Sequence, residues 1–331
     1  MRVLAGDIGG TKTLLQIAEC RAGRCRAVRE QRFDSRTYDS LSSIIHEFLK
    51  PEKKKNIDAA CFGIAGPIRE TAGGQSVKVT NLPWEIHGRE LKRRFKFPGL
   101  RLINDFQAVG YGIEALGKKD QVVLQKGKAI RHGPRALIGA GTGLGQGLLI
   151  WNQDHYVPVA TEGGHANFAP TNELQIELTR YLLRTAGRTS WELVLSGHGL
   201  VQLYTFLKSH GAAPESEAVA RAMHGDDPAA VITQAALMRN DPLANQVLDL
   251  FVDIYGAQAG NLALTAGATG GVYIAGGIAP RIVAHMTDGR FMRAFLNKGK
   301  MKHYVTAIPV QVVTNPQVGL IGAVLAATRL K

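Results

Sequence analysis

Short apolar runs alternate with polar and glycine-rich breaks along most of this chain. Strands are expected at Val3–Ile8, Leu14–Glu19, Ala27–Phe33, Ile57–Ile64, Leu100–Ile103, Ala136–Ala140, Gln146–Trp151, Gly271–Ala275 and Ile308–Val313. Helical spacing fills several of the gaps. Leu41, Ile44, Ile45, Phe48 and Leu49 share one helical face, and Pro51 stops that helix. Leu174, Leu178, Tyr181 and Leu182 mark a second helix, with Asn172 as its N-cap three residues before Gln175. Leu200, Leu203, Tyr204 and Leu207 mark a third, closed by Gly211. A longer helix is expected over 243–265. Three strands in succession, then alternating helices and strands, imply mixed sheets covered by helices in two α/β units.

Length agrees with two domains, since 331 residues exceed what one compact core usually holds. Hydrophobic residues are 45% and charged residues 20% of the chain, a globular balance. No apolar run reaches membrane-spanning length and no leader is visible, so the cytoplasm is expected. Net charge is +13, from 40 basic and 27 acidic residues. The excess lies in dispersed runs at 21–32, 53–55, 92–96 and 298–302, with no helix-turn-helix or aromatic-interleaved motif. Solvated faces are therefore expected rather than a nucleic-acid surface. Cys20, Cys25 and Cys61 form no C-x-x-C pair, which argues against a zinc site. Cys20 and Cys25 flank a hairpin tip, but in a reducing compartment they are expected as free thiols.

The glycine clusters carry the chemistry. Leu4-Ala-Gly-Asp-Ile-Gly-Gly-Thr-Lys12 reads as strand, tight turn and strand. Gly9 and Gly10 would let backbone N–H groups approach an anion, Thr11 and Lys12 add a hydroxyl and a cation, and Asp7 could orient Mg²⁺ through water. An ordinary Gly-Gly hairpin is the plain alternative. Gly139-Ala-Gly-Thr-Gly-Leu-Gly145 leads into a strand, not a helix. That favours a second phosphate hairpin over a dinucleotide fold. Val272-Tyr-Ile-Ala-Gly-Gly-Ile-Ala279 is a buried strand ending at Gly276 and Gly277, with a short helix expected next.

Arg101-Leu-Ile-Asn-Asp-Phe106 delivers Asn104 and Asp105 at the carboxyl end of a strand, where α/β sheets bind ligands. Helix capping is an equally common use of these residues. Glu162-Gly-Gly-His165 has no helical or strand period and suits hydrogen bonding to a polyhydroxylated substrate better than a metal. Glu192 precedes an apolar run and a glycine turn.

Taken in order, Asp7-Ile-Gly-Gly-Thr11, Leu102-Ile-Asn-Asp-Phe106, Gly139 to Gly145, Glu162-Gly-Gly-His165, Glu192-Leu-Val-Leu-Ser-Gly197 and Ala275-Gly-Gly-Ile278 resemble the bacterial ATP-dependent glucokinases of the hexokinase–actin superfamily. The resemblance runs from residue 3 to Pro316-Gln-Val-Gly-Leu-Ile-Gly322. With no cysteine beyond Cys61, the chain is similar to the group without zinc. A motif starting at residue 3 leaves no room ahead of it for a DNA-binding domain, so no repressor is expected. Gln146 departs from the group, which commonly has a small apolar residue there.

The resemblance implies a two-domain actin-like ATPase (ribonuclease H-like) α/β fold, with mixed sheets and an interdomain cleft. Residues 1–115 plus 316–331 would form the small domain and 116–315 the large one. It implies transfer of phosphate from MgATP to glucose, the first step of glycolysis. Asp105 would be the catalytic base, ionised at neutral pH without special tuning. Asn104, Glu162, His165 and Glu192 would bind the sugar, and Asn81-Leu-Pro-Trp84 would approach it. Asp7, Gly9, Gly10, Thr11, Lys12, Gly141, Thr142 and Gly143 would bind the phosphates and Mg²⁺, with no direct protein ligand to the metal. Gly276 and Gly277 would line the adenosine site. A homodimer is implied, with no nucleic-acid or membrane partner. A kinase for another hexose or amino sugar, or an ATP-dependent sensor or assembly protein, are the alternatives.

Overall fold

The computed structural model describes residues 1–21, 23–52, 56–225 and 227–330. The basic run at 53–55 lies outside the described residues. Backbone contacts divide the chain into two units. The first holds residues 1–117, 156–160 and 315–331, and the second holds 118–155 and 161–314.

The first unit is built on a sheet whose strands lie in the order Arg24–Asp34, Lys12–Arg21, Arg2–Ile8, Ala59–Ile64, Gly99–Asn104. The first three strands meander antiparallel, and the last three run parallel. Side chains alternate between the faces. Leu4, Ile8, Leu15 and Ile17 pack with Ile44, Ile45 and Phe48 of the Leu41–Leu49 helix. Val3, Ala5, Ala18, Ala59 and Cys61 pack with Leu320, Ala323 and Ala327 of the C-terminal Val318–Thr328 helix. Small residues on that second face let the helix approach closely. It also packs on the Asp105–Gly112 helix, where a Cβ on Gly322 would run into the Ala108 carbonyl oxygen. Burial of the Cys61 thiol pushes its pKa up to about 12.

Three short strands, Arg69–Thr71, Gly74–Lys78 and Glu85–His87, form a further antiparallel sheet in this unit. The Gly88–Phe95 helix follows. Lys92, Arg93 and Arg94 of the basic run at 92–96 sit in its last turn, where cations offset exposed carbonyl dipoles.

Cys20 and Cys25 are joined in a disulfide, which overturns the expectation of free thiols. They face each other in the register of the Lys12–Arg21 and Arg24–Asp34 strands. The hairpin itself brings the two sulfurs together.

In the second unit, strands Leu144–Asn152, Arg135–Ala140, Gly271–Ala275, Val310–Val313 and Gln121–Gln125 lie side by side in that order. The longest helix, Pro242–Thr265, leads into the Gly271–Ala275 strand and packs on it and on Arg135–Ala140; its Val247, Phe251, Ile254 and Tyr255 are fully buried. Asp241 caps its start through the Ala244 N–H. The expected helices over Leu174–Leu182 and Leu200–Leu207 occur as Glu173–Ala186 and Gly197–Ser209. Asn172 caps the former through the Gln175 N–H at 3.0 Å. The helix expected directly after Gly277 starts only at Val283, because turns occupy the intervening residues. No helix among the described residues is long and apolar enough to cross a membrane.

The glycine packing in the first unit yields a test. Gly322→Ala is expected to destabilise the protein by about 1–3 kcal/mol, the usual cost of overpacking. Urea unfolding followed by circular dichroism measures it, and an unchanged midpoint would show that the two helices can part freely.

Candidate active site

Site residues fall on both units. In the first, the parallel strands place Asp7 beside Gly63, and Gly63 beside Ile103, so Asp7 and the Asn104-Asp105 pair leave the sheet at the same edge. Gly63 is the constraint that seats the next helix. A Cβ there would lie 2.8 Å from Ala108 Cβ and 3.8 Å from Asp105 Cα.

Asn104 serves the cap that its position allows. Its Oδ1 accepts from Phe106 N–H at 2.9 Å, its Nδ2 donates to Gly66 O at 3.3 Å, and its own N–H donates to Gln107 Oε1. Asp105 begins the helix, and its Oδ1 shares the Phe106 N–H at 2.8 Å. Burial pushes the Asp105 carboxyl up to about 6. The Phe106 N–H opposes that rise, and the Asp7 charge adds to it. This corrects the expectation of an untuned carboxylate. Asp7 is itself raised by burial, with Lys12 pulling the other way.

The first hairpin turns tightly. Gly9 N–H donates to Lys12 O at 2.9 Å, so that donor is spent inside the turn. Ser35 Oγ donates to Gly9 O at 2.9 Å. A Cβ on Gly10 would lie 3.1 Å from both Thr80 O and Asn81 Cβ. Thr80 and Asn81 therefore lie against this turn. Thr11 and Lys12 are exposed.

In the second unit, strands Arg135–Ala140 and Gly271–Ala275 run parallel, with Gly139 opposite Ala275. Their carboxyl ends bring two of the glycine clusters together. Gly276 has φ +85° and packs on the Ala140 carbonyl, which accepts from Ile278 N–H at 3.2 Å. Gly141 and Gly277 face open space. Tyr255 Oη accepts from Ala140 N–H at 3.1 Å and anchors the loop from beneath. Gly197 N–H donates to Gly141 O at 2.8 Å, so the Gly197–Ser209 helix starts against the loop. A helix start supplies N–H groups and positive potential suited to phosphate. Local pattern marks Ser196 and Gly197 as a turn, within a motif of the family resemblance; the cap residue followed by glycine is the signal of the helix start.

Glu162, His165 and Glu192 come together. His165 Nε2 is 3.9 Å from Glu162 Oε2, and His165 Nδ1 is 3.8 Å from Glu192 Oε1. The Glu162 and His165 side chains are 85% and 57% exposed, so both are available to a ligand. Glu192 is held more firmly. Its Oε2 accepts from Leu144 N–H at 2.9 Å, and its N–H donates to Gly164 O at 2.9 Å. Among the described residues, no group of three or more His, Cys, Asp or Glu side chains is arranged to hold a metal ion.

A family model described as "Glucokinase" matches residues 4–330 of the chain. A protein named glucokinase from Trichormus variabilis is 43% identical over 343 aligned residues, covering 99% of each chain. One from Synechocystis is 40% identical, covering 98% of each. Among solved structures, a glucokinase from an Antarctic psychrotroph superposes with a TM-score of 0.87 at 32% identity, covering 99% of this chain and 98% of its own. A ROK-family glucokinase from Streptomyces griseus, solved with glucose and AMPPNP, has the same fold at 20% identity and a TM-score of 0.63.

Proposed function

This chain belongs to the glucokinase family, and from that premise we propose that Asp105 is the general base of its reaction. The reaction is ATP-dependent phosphorylation of glucose. The observation that carries the assignment is the setting of Asp105. It begins a helix at a strand's carboxyl end, one oxygen is fixed by Phe106 N–H, and burial lifts its pKa to about 6. Such a carboxylate is still mostly ionised at neutral pH and is a stronger base than a free one.

The glucose 6-hydroxyl attacks the γ-phosphorus of ATP. Its proton passes to the Asp105 carboxylate, the bond from the γ-phosphorus to the bridging oxygen breaks, and ADP leaves. The transition state is loose, so positioning and charge neutralisation supply most of the rate. Asn104, Glu162, His165 and Glu192 hold the sugar hydroxyls. Asn104 does so while keeping its cap. Thr11, Lys12, Gly10 and the Gly141–Gly143 loop take the phosphates, and Gly276 and Gly277 line the adenosine. Asp7 is a hard oxygen donor of the kind that suits Mg²⁺ through water, and the ion would neutralise phosphate charge there. The proposal extends to a cytoplasmic homodimer acting in glycolysis on small molecules alone.

Asp105→Ala is expected to lower kcat at least about a hundredfold with the fold intact, in line with loss of a general base. Near-normal kcat would remove Asp105 from the role. The pH profile tests the same group differently. A base works as its carboxylate, so kcat/KM should fall as pH drops through about 6. An acid limb at the free-carboxylate value of about 4 would contradict the buried setting. Glu162→Gln should raise the glucose KM much more than the ATP KM, and equal effects on both would take Glu162 off the sugar.

A further inference from the structure

Gln146 is a buried amide where the strand Leu144–Asn152 leaves the second glycine loop, and it is only 3% exposed. Its surroundings join two parts of the site. Thr161 Oγ1 donates to the Gln146 main-chain oxygen at 3.2 Å and accepts from Gly163 N–H at 3.2 Å. The side chain meets the same glycine directly. A Cβ on Gly163 would lie 2.6 Å from Gln146 Oε1 and 3.2 Å from its Cδ. Gly163 sits between Glu162 and His165, in the turn that carries both.

Behind Gln146 the contact continues into the long helix. Gln258 Nε2 donates to Gln146 Oε1 at 3.4 Å, and Asn261 Nδ2 donates to Gln258 Oε1 at 3.2 Å. Gln146 Nε2 is buried without a hydrogen-bond partner among the described residues. A side chain present only to fill this space would be apolar, because an unpaired buried amide group costs stability. The glycine is equally constrained: any side chain at 163 would strike Gln146.

We propose that Gln146 is a positioning residue for glucose, setting the height of the Glu162–His165 turn by direct contact with Gly163. The long helix holds the Gln146 oxygen in place, and the turn rests on it. Gln146 touches no substrate; it acts through Glu162 and His165. The inference therefore rests on the sugar-binding reading of those two residues.

Steady-state kinetics on the full-length protein test it. Gln146→Ala should raise the glucose KM about tenfold, with kcat and the ATP KM within about twofold of the parent. Gly163→Ala should also raise the glucose KM, by pushing the turn off its support. In the double variant the new methyl group enters the vacated space, so the glucose KM should fall below that of Gly163→Ala alone. A residue that merely fills the core would lower the thermal midpoint and show neither the KM split nor the rescue. Should Gln146→Ala not fold, Gln146→Asn keeps the amide but draws it back by one methylene from Gly163, and it is read the same way. A glucose KM within twofold of the parent overturns the proposal, as does a double variant as impaired as the product of the singles. Glu162→Gln separates the two possible failures. If it raises the glucose KM and the Gln146 variants do not, only the positioning role fails. If it leaves that KM unchanged, the sugar reading fails and this inference falls with it.

Discussion

A helix seated directly on the end of a parallel sheet is the contact on which the first half of the site depends. Gly63 in the sheet and Gly322 in the C-terminal helix both lack the Cβ that would hold the Asp105–Gly112 helix away. The helix therefore drops between them. Its first residue, Asp105, is carried down to the sheet edge beside Asp7. The raised pKa follows from that seat: burial strips water from much of the carboxyl, and a like charge stands nearby. The Phe106 N–H prevents the shift from going further. Packing between apolar and backbone groups thus sets a chemical property of a carboxylate.

The second unit solves a different problem, which is to keep two loops in a fixed relation. Glu192 is the shared part. One carboxylate oxygen is bound by the backbone of the second glycine loop, its own N–H holds the Gly164 carbonyl, and its other oxygen lies near His165. A displacement of the loop is felt at His165 through a single side chain. Tyr255 fixes the strand end beneath the loop in the same manner, by giving the Ala140 N–H an acceptor inside an apolar core. A buried N–H without a partner would destabilise the fold.

Much of this was legible in the chain. The strand ending at Asn104 and Asp105, the two glycine hairpins and the Glu162–His165 turn follow from local pattern, because strands end where apolar runs meet glycine or a capping residue. What stayed hidden depends on neighbours distant in sequence. The strand Arg69–Thr71 is polar and exposed and Gly74–Lys78 is mostly half-buried, so no alternation marks them. The Cys20–Cys25 bond follows from hairpin register, whereas the expected reducing compartment argues against it. The acidity of Asp105 needs Asp7, a residue almost a hundred positions away, together with the seat of a helix. The roles of Gln146 and Gln258 need a turn and a helix that sequence spacing does not join.

For the base role proposed for Asp105, a pKa near 6 suits the chemistry better than the free carboxylate expected from sequence. Little proton transfer is needed early in a loose phosphoryl transfer, so the base must mainly be ionised, close and oriented. At pH 7 about nine in ten such groups are ionised, which costs almost no active enzyme. The two extra units of basicity favour taking the proton as the new bond to phosphorus forms. Without an N–H on the carboxylate the pKa would stand higher still, and less of the group would be ionised at neutral pH. Under the base role proposed for Asp105, the cap at Asn104 and Asp105 would serve the chemistry as well as start the helix. Capping and the proposed base role are compatible in this pair, because the Phe106 N–H that caps through Asn104 Oδ1 also reaches Asp105 Oδ1 and favours its ionised form.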